Sequence, residues 1–132
     1  MNEQEQTFLE SHVWAVLATT RRDGSPQQSM VGYVVDDEGR LVISTKASTA
    51  KWHNVRRRPS VSLTVADGRV HLVIDGTVEL IEDDPLRAEL TADAFVAMFG
   101  GDRPDPTAMV PQLDEQQRTV LRLTPRSVRY HE

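Results

Sequence analysis

The sequence contains no cysteine, only two lysines and few aromatic residues. The lack of cysteine excludes disulfide bonds and thiolate metal sites, and it is typical of a reducing, cytoplasmic environment. The longest apolar run, Val13 to Ala18, is far too short to span a bilayer. The polar segment MNEQEQTF lacks the cationic and apolar regions of a signal peptide. We therefore expect a cytoplasmic protein with no membrane partner.

Several motifs that mark common chemistries are also missing. There is no GxGxxG, GxxxxGK[ST], HExxH or GxSxG, so the sequence does not support the usual nucleotide, zinc or acyl-transfer sites. His12, His53, His71 and His131 are scattered without metal-ligand spacing, and no metal site is predicted. The Asp-rich run 36–39 lacks the distal Glu of an EF-hand and is interpreted as a solvated turn.

Short β-branched segments separated by turn signals dominate the 132 residues. They predict six strands, at residues 12–20, 27–35, 40–45, 60–66, 69–82 and 118–130. Gly76 predicts a bulge, and Pro125 could break the last strand. Because most connections are hairpins, we expect a mainly β protein in which residues 1–132 form a single domain built as an antiparallel barrel.

Helices are predicted to be few and short. Residues 2–10 favour an amphipathic helix, and a second short helix should end at Pro59. Asp84 and Pro85 are typical of an N-cap and a first helical residue, so a third helix should run from there to Phe99. Residues 102–111 are Pro-rich and predict a loop, which either crosses the surface or covers a groove.

The segment LVISTKASTAKWHNVRRRP, residues 41–59, concentrates positive charge. It holds both lysines, Lys46 and Lys51, followed by the three arginines 56–58. The net charge of the chain is −5, yet no acid lies between residues 44 and 58. This pattern predicts a site for an anion.

A phosphate site is favoured for the first part of that segment. If Ser48 or Thr49 caps the helix, its free N–H groups face the preceding loop, where nearby hydroxyls and Lys51 can also reach a phosphate. For the arginine run we favour the alternative that it complements the negative end of the helix. Lys51, Asn54 and Arg58 would share one helical face. Trp52 is interpreted as a core residue in preference to a ring that stacks on a ligand.

Two segments resemble a known family. They are D-G-x-P-Q-x-S at residues 23–29 and S/T-x-K-x-x-N-[VL]-R-R-x-P at residues 49–59. In this order they resemble the pyridoxamine 5′-phosphate oxidase-like split β-barrel proteins, and look closest to the actinobacterial branch that uses the deazaflavin coenzyme F-420. The resemblance implies a six-stranded antiparallel split β-barrel. It also implies a homodimer with coenzyme F-420, or alternatively FMN, in the groove between the subunits.

The resemblance also implies a set of site residues. Lys51 would match the phosphate-binding lysine of the family, and Gln27 and Ser29 would border the ring system. Asn54 is expected to fix the helix to the loop, and Met30, Val31 and Leu41 to form an apolar floor. The candidate cofactor-binding residues are Gln27, Ser29, Ser44, Thr45, Lys46, Thr49, Lys51, Trp52 and Asn54. No catalytic residue and no metal ligand is assigned.

Three functions remain open. The first is an F-420-dependent oxidoreductase that transfers hydride to a small unsaturated or quinone-like molecule, with the cofactor carrying the reaction. The second is an FMN-binding split-barrel flavoprotein, or a flavin- or haem-related carrier or sensor without turnover. The third is a nucleic-acid module, which the net charge of −5 and the aromatic content of 5 % disfavour. Thirteen arginines against two lysines are typical of a GC-rich genome, which favours the deazaflavin.

Overall fold

The computed structural model describes the whole chain, residues 1–132, as seven strands and four helices. In chain order they are α1 (Glu3–Glu10), β1 (Trp14–Thr20), β2 (Pro26–Gly32), β3 (Val34–Val35), β4 (Leu41–Lys46), α2 (Ala50–Arg57), β5 (Ser60–Asp67), β6 (Val70–Ile81), α3 (Leu86–Phe99), α4 (Pro106–Glu115) and β7 (Arg118–His131). The strands form one antiparallel sheet in the order β2-β1-β5-β6-β7-β4-β3. This confirms the mainly β, split-barrel class. None of the helices is both long and apolar enough to span a membrane.

The predicted count of six strands was wrong because the strand predicted at 27–35 divides at Tyr33. β2 pairs with β1, whereas β3 pairs with β4 at the opposite end of the sheet. Tyr33 is 1 % exposed, and its hydroxyl donates to the carbonyl of Leu9. Since β2 and β3 are separated by this one residue, the two edges of the sheet must meet. The sheet therefore curls into a barrel, and β2 contacts β4 across the seam.

The core fills the inside of this curled sheet. In β5, Val61, Leu63 and Val65 are buried, while the residues between them face outward as strand geometry requires. Each such side chain contributes about 1.5–3 kcal/mol when it is fully buried. Leu9 of α1 and Val55 of α2 belong to the same cluster, so both helices pack on the barrel.

The irregularity predicted at Gly76 is present. The register between β6 and β7 shifts at this point, and Arg126 is the extra residue. A Cβ at Gly76 would lie 2.4 Å from the carbonyl oxygen of Thr124, so only glycine allows the two backbones to approach this closely. β7 continues through Pro125, and the bulge takes the place of the break that could have been expected there.

The loop predicted at residues 102–111 was wrong, because α4 begins at Pro106. Asp105 is the N-cap and accepts a hydrogen bond from the Thr107 N–H at 3.1 Å, and Pro106 is the first helical residue. Pro111, which has no N–H to donate, lies inside the helix. Its presence is the reason that the segment has the composition of a loop.

α3 begins at Leu86, one residue later than predicted, and ends before Gly100 as expected. The buried Arg87 then fixes both helices to the sheet. Its Nη2 lies 2.8 Å from Asp84 Oδ2 and 2.7 Å from Asp114 Oδ1. Its Nη1 donates to the carbonyl of Arg118 at 3.1 Å. These bonds hold the start of α3, the end of α4 and the start of β7 together.

Candidate functional site

A cleft of about 590 Å³ opens between the end of β4, the start of α2 and the α3–α4 pair. Its lining has two chemically different parts. One part carries three cations, which are Lys46, Lys51 and Arg118, and the other is mostly apolar. No Asp, Glu or His lies in the lining. The cleft therefore suits a ligand that is anionic at one end and apolar at the other.

The sheet and α2 bring the three cations together. Lys46 is the last residue of β4, and it pairs in register with Arg118, the first residue of β7. Side chains directly opposite on neighbouring strands point to the same face, so these two project together. Lys51 follows in the first turn of α2, after a short turn in which the Ala47 N–H donates to the carbonyl of Gln117 at 2.8 Å.

These cations have no anionic partner in the protein. All ion pairs of the chain involve other residues, and none includes Lys46, Lys51 or Arg118. Burial, followed by repulsion from the Arg118 guanidinium, lowers the pKa of Lys51. A bound anion would offset both effects, because it would supply the missing opposite charge.

The start of α2 adds uncapped backbone donors to this part of the cleft. Thr49 is the N-cap, but its hydroxyl donates back to the carbonyl of Lys46 at 2.8 Å and leaves the helix N–H groups free. In the free protein the Thr49 hydroxyl is therefore engaged within the turn, and its expected contact with a phosphate stays a prediction. The Thr45 hydroxyl lies 3.4 Å from that of Thr49, while Ser44 has no hydrogen-bond partner for its hydroxyl. Free N–H groups at a helix start favour an anion.

Five of the nine predicted cofactor-binding residues line this cleft. They are Ser44, Thr45, Lys46, Thr49 and Lys51. The other four do not line it, and they are Gln27, Ser29, Trp52 and Asn54. The five that line the cleft lie between the end of β4 and the first turn of α2, whereas the four that do not line it lie on β2 and further along α2.

Asn54 has a structural position in the barrel. It is 5 % exposed and donates to Thr19 Oγ1 at 3.0 Å, while Thr19 in turn donates to Gln27 Oε1 at 3.2 Å. Asn54 therefore fixes α2 to β1, rather than to the loop as expected. The predicted face of Lys51, Asn54 and Arg58 was wrong, because Asn54 is buried and Arg58 follows the helix as its C-cap.

Trp52 lies in the core, with 9 % of its surface exposed and the Arg56 guanidinium 5.1 Å from its ring centroid. Its Nε1 and the Oγ of Ser29 are buried without a hydrogen-bond partner. Such unpaired polar groups are unfavourable unless a bound molecule or water satisfies them.

The apolar part of the cleft is built mostly from residues that the sequence did not indicate. Met30 and Val31 of the expected floor do line it, but Leu41 is fully buried elsewhere. Trp14 joins them from β1, and α3 and α4 supply the facing wall. The methyl carbon of Met98 lies 2.1 Å from where a Cβ at Gly32 would be, so the end of the Met98 side chain packs directly on the backbone of β2.

Known structures share this fold over nearly the whole chain. A conserved hypothetical protein from Mycobacterium tuberculosis superposes with a TM-score of 0.81 at 27 % identity, over 100 % of this chain and 85 % of that one. An F-420 reductase superposes with a TM-score of 0.74 at 25 % identity, over 98 % of each chain. A haem storage protein from Vibrio cholerae has a TM-score of 0.75 at 21 % identity, over 96 % of this chain and 92 % of that one.

The sequence itself matches the family model for pyridoxamine 5′-phosphate oxidase over residues 1–132. The family resemblance predicted from residues 23–29 and 49–59 is thereby confirmed. Because the match extends over the entire chain, this protein belongs to the pyridoxamine 5′-phosphate oxidase family.

Proposed function

We propose that the protein is an oxidoreductase that binds coenzyme F-420, or alternatively FMN, and transfers hydride to a small unsaturated or quinone-like molecule. The observation that carries this proposal is the cleft whose cations have no partner and whose other end is apolar. The similarity to an F-420 reductase supports the deazaflavin.

The residues present fit such a cofactor at its phosphate end. Lys46 and Lys51 would hold the phosphate, together with the free N–H groups at the start of α2 and the Ser44 hydroxyl. Hydrogen bonds from charged donors to phosphate oxygens are short and strong. No carboxylate in the lining would repel the bound group.

The apolar end would position the ring and exclude water from it. A flavin or deazaflavin supplies the hydride chemistry when bound. Trp14, Met30 and Met98 provide an apolar surface of the kind that planar ligands occupy in binding pockets. Since the lining holds no Asp, Glu or His, we assign no general acid or base, and a solvent proton would complete the reduction.

We further propose that a second copy of the chain covers the mouth of the cleft. Trp14 is 56 % exposed, Met30 62 %, Phe95 47 % and Phe99 69 %. All four line the same cleft. Large apolar side chains that form a continuous exposed patch usually mark a binding surface. A homodimer would bury them and enclose the cofactor between the subunits.

Titration with coenzyme F-420 and with FMN tests the cofactor assignment. Tryptophan fluorescence should report binding mainly through Trp14, which lines the cleft, because Trp52 is buried and does not line it. In the Trp14→Phe variant the binding should persist in calorimetry while most of the fluorescence change is lost.

Activity separates the oxidoreductase from a carrier or sensor. Reduced F-420, mixed with the protein and a panel of quinones and conjugated enones, should be oxidised faster than without protein. Tight binding without turnover over the whole panel would favour the carrier. Binding of neither cofactor would refute the proposed function.

A further inference from the structure

Arg118 is the one cation of the cleft that lies far along the sequence from the Ser44–Arg58 segment. It is half-buried, and its Nε donates to Gln116 Oε1 at 3.2 Å. That bond restricts the orientation of the guanidinium but leaves its other N–H groups without an anionic partner. A half-buried, oriented guanidinium without a carboxylate partner is suited to bidentate binding of a phosphate or carboxylate group of a ligand.

The backbone around Arg118 is held in place from three sides. The preceding Gln117 has a φ of +54°, a left-handed conformation that is unfavourable for a residue with a side chain. Its carbonyl accepts the Ala47 N–H, and the carbonyl of Arg118 accepts a bond from the buried Arg87. Arg118 also pairs with Lys46 across the sheet. Unfavourable backbone that is fixed by several contacts is frequent at ligand sites.

We propose that Arg118 is a third direct ligand of the cofactor's anionic end, and that the end it selects carries two negative charges. The inference rests on the proposed function, because it assigns a further residue and a charge to the same site. Lys46 and Lys51 alone would be sufficient to bind a group with a single negative charge. A third cation, whose repulsion of Lys51 is already present in the free protein, is best matched by a second negative charge.

Two cofactor types satisfy this requirement. The phosphomonoester of FMN carries a charge close to −2 by itself. The tail of F-420 carries a phosphodiester followed by carboxylates. Both present two negative charges near the same end of a ring system, and the two cofactors are therefore separate arms of the test.

The test compares the wild-type protein with the Arg118→Gln, Arg118→Lys and Arg126→Gln variants by calorimetry. Arg126 is an exposed arginine of the same strand outside the cleft, so its variant is a control for the loss of one charge. The ligand pairs are FMN against riboflavin, and F-420 against its deazaflavin core without the phosphate tail. We expect Arg118→Gln to weaken binding of the phosphate-bearing ligand by about tenfold or more. The phosphate-free ligand should change by less than about twofold, because no charged contact is lost.

The lysine variant should recover part of the affinity, since it restores charge without the planar donor pair. If Arg118→Gln loses the same affinity for both ligands of a pair, the proposal is overturned, because Arg118 would then contact the ring system or stabilise the fold. An unchanged affinity of Arg118→Gln, or an equal loss in Arg126→Gln, would also overturn it.

Inorganic pyrophosphate separates this inference from the proposed function. If the wild type binds neither cofactor, the proposed function fails, and pyrophosphate alone then decides the role of Arg118. Binding of pyrophosphate to the wild type and its loss in Arg118→Gln would support the anion ligand. No binding of pyrophosphate to the wild type would refute it.

Discussion

Lys51 is the residue on which anion binding should depend most. It stands in the first turn of α2, beside free N–H groups, and has no carboxylate partner. We expect Lys51→Ala to weaken binding of F-420 or FMN by about tenfold or more, as the loss of a charge-assisted contact does. Calorimetric titration measures this. Arg58→Ala is the control, because it removes an exposed cation just after the same helix, outside the cleft, and an equal loss there would argue against a specific site.

The lowered pKa of Lys51 predicts how binding and stability change with pH. Burial and Arg118 place its folded pKa below the ordinary 10.5, so Lys51 loses its proton at a lower pH than in the unfolded chain. Affinity for a phosphate-bearing ligand should therefore fall as pH rises towards 10.5. The free protein should show the opposite trend in stability, because the unfolded chain binds more protons in that range and the free energy of unfolding rises with pH. Titrations at several pH values check this against Lys51→Arg, whose guanidinium stays charged. The same fall in affinity in both proteins would exclude Lys51 as its source.

Tyr33 connects the seam of the barrel to α1. Its buried hydroxyl donates to the carbonyl of Leu9, and burial raises its pKa. Tyr33→Phe should lower the free energy of unfolding by about 0.5–1.5 kcal/mol, because a buried hydrogen bond is lost and the Leu9 carbonyl keeps only backbone donors such as the His12 N–H at 3.4 Å. Urea unfolding measures the change. No change would mean that water replaces the hydroxyl.

At the scale of the element, α4 shows how local rules compete. Asp105 and Pro106 are typical of the start of a helix, but Pro111 a few residues later favours a loop, so the sequence did not predict α4. Pro111→Ala should raise the free energy of unfolding by about 1–3 kcal/mol, because the exposed proline packs on little and blocks one helical hydrogen bond. Asp105→Ala should lower it by about 1 kcal/mol through loss of the N-cap. Urea unfolding of both variants, with helix content followed by circular dichroism, checks the opposite signs.

The strands also show which features of the fold could be predicted from the sequence. The alternation in β5 and the glycine of β6 depend on neighbours a few residues away, so they could be predicted. The division at Tyr33 could not, because both halves are extended and only the pairing partner changes. The Lys46–Lys51 segment was visible as a local cluster of charge. Arg118 was not, since only the β4–β7 pairing brings it beside Lys46.

The whole molecule should exist as a dimer if the mouth of the cleft is a subunit contact. We expect Phe99→Asp to shift the protein towards a monomer and to weaken cofactor binding, because a charge would replace an apolar contact. Light scattering coupled to size-exclusion chromatography measures the mass. Leu86→Asp is the matched control, since it places the same charge on an exposed leucine of α3 that does not line the cleft. A wild type that is monomeric with and without cofactor would refute the dimer.

The position of α3 and α4 has a consequence for how this fold can diversify. The chain leaves the sheet after Ile81 and returns at Arg118, and the two strands on either side are direct neighbours. The segment between them, which consists of α3 and α4, completes the cleft but adds no strand to the barrel. A grafted helical hairpin that retains the Arg87 bond to the Arg118 carbonyl would change the apolar wall of the cleft, while Lys46, Lys51 and Arg118 would keep their places on β4, α2 and β7.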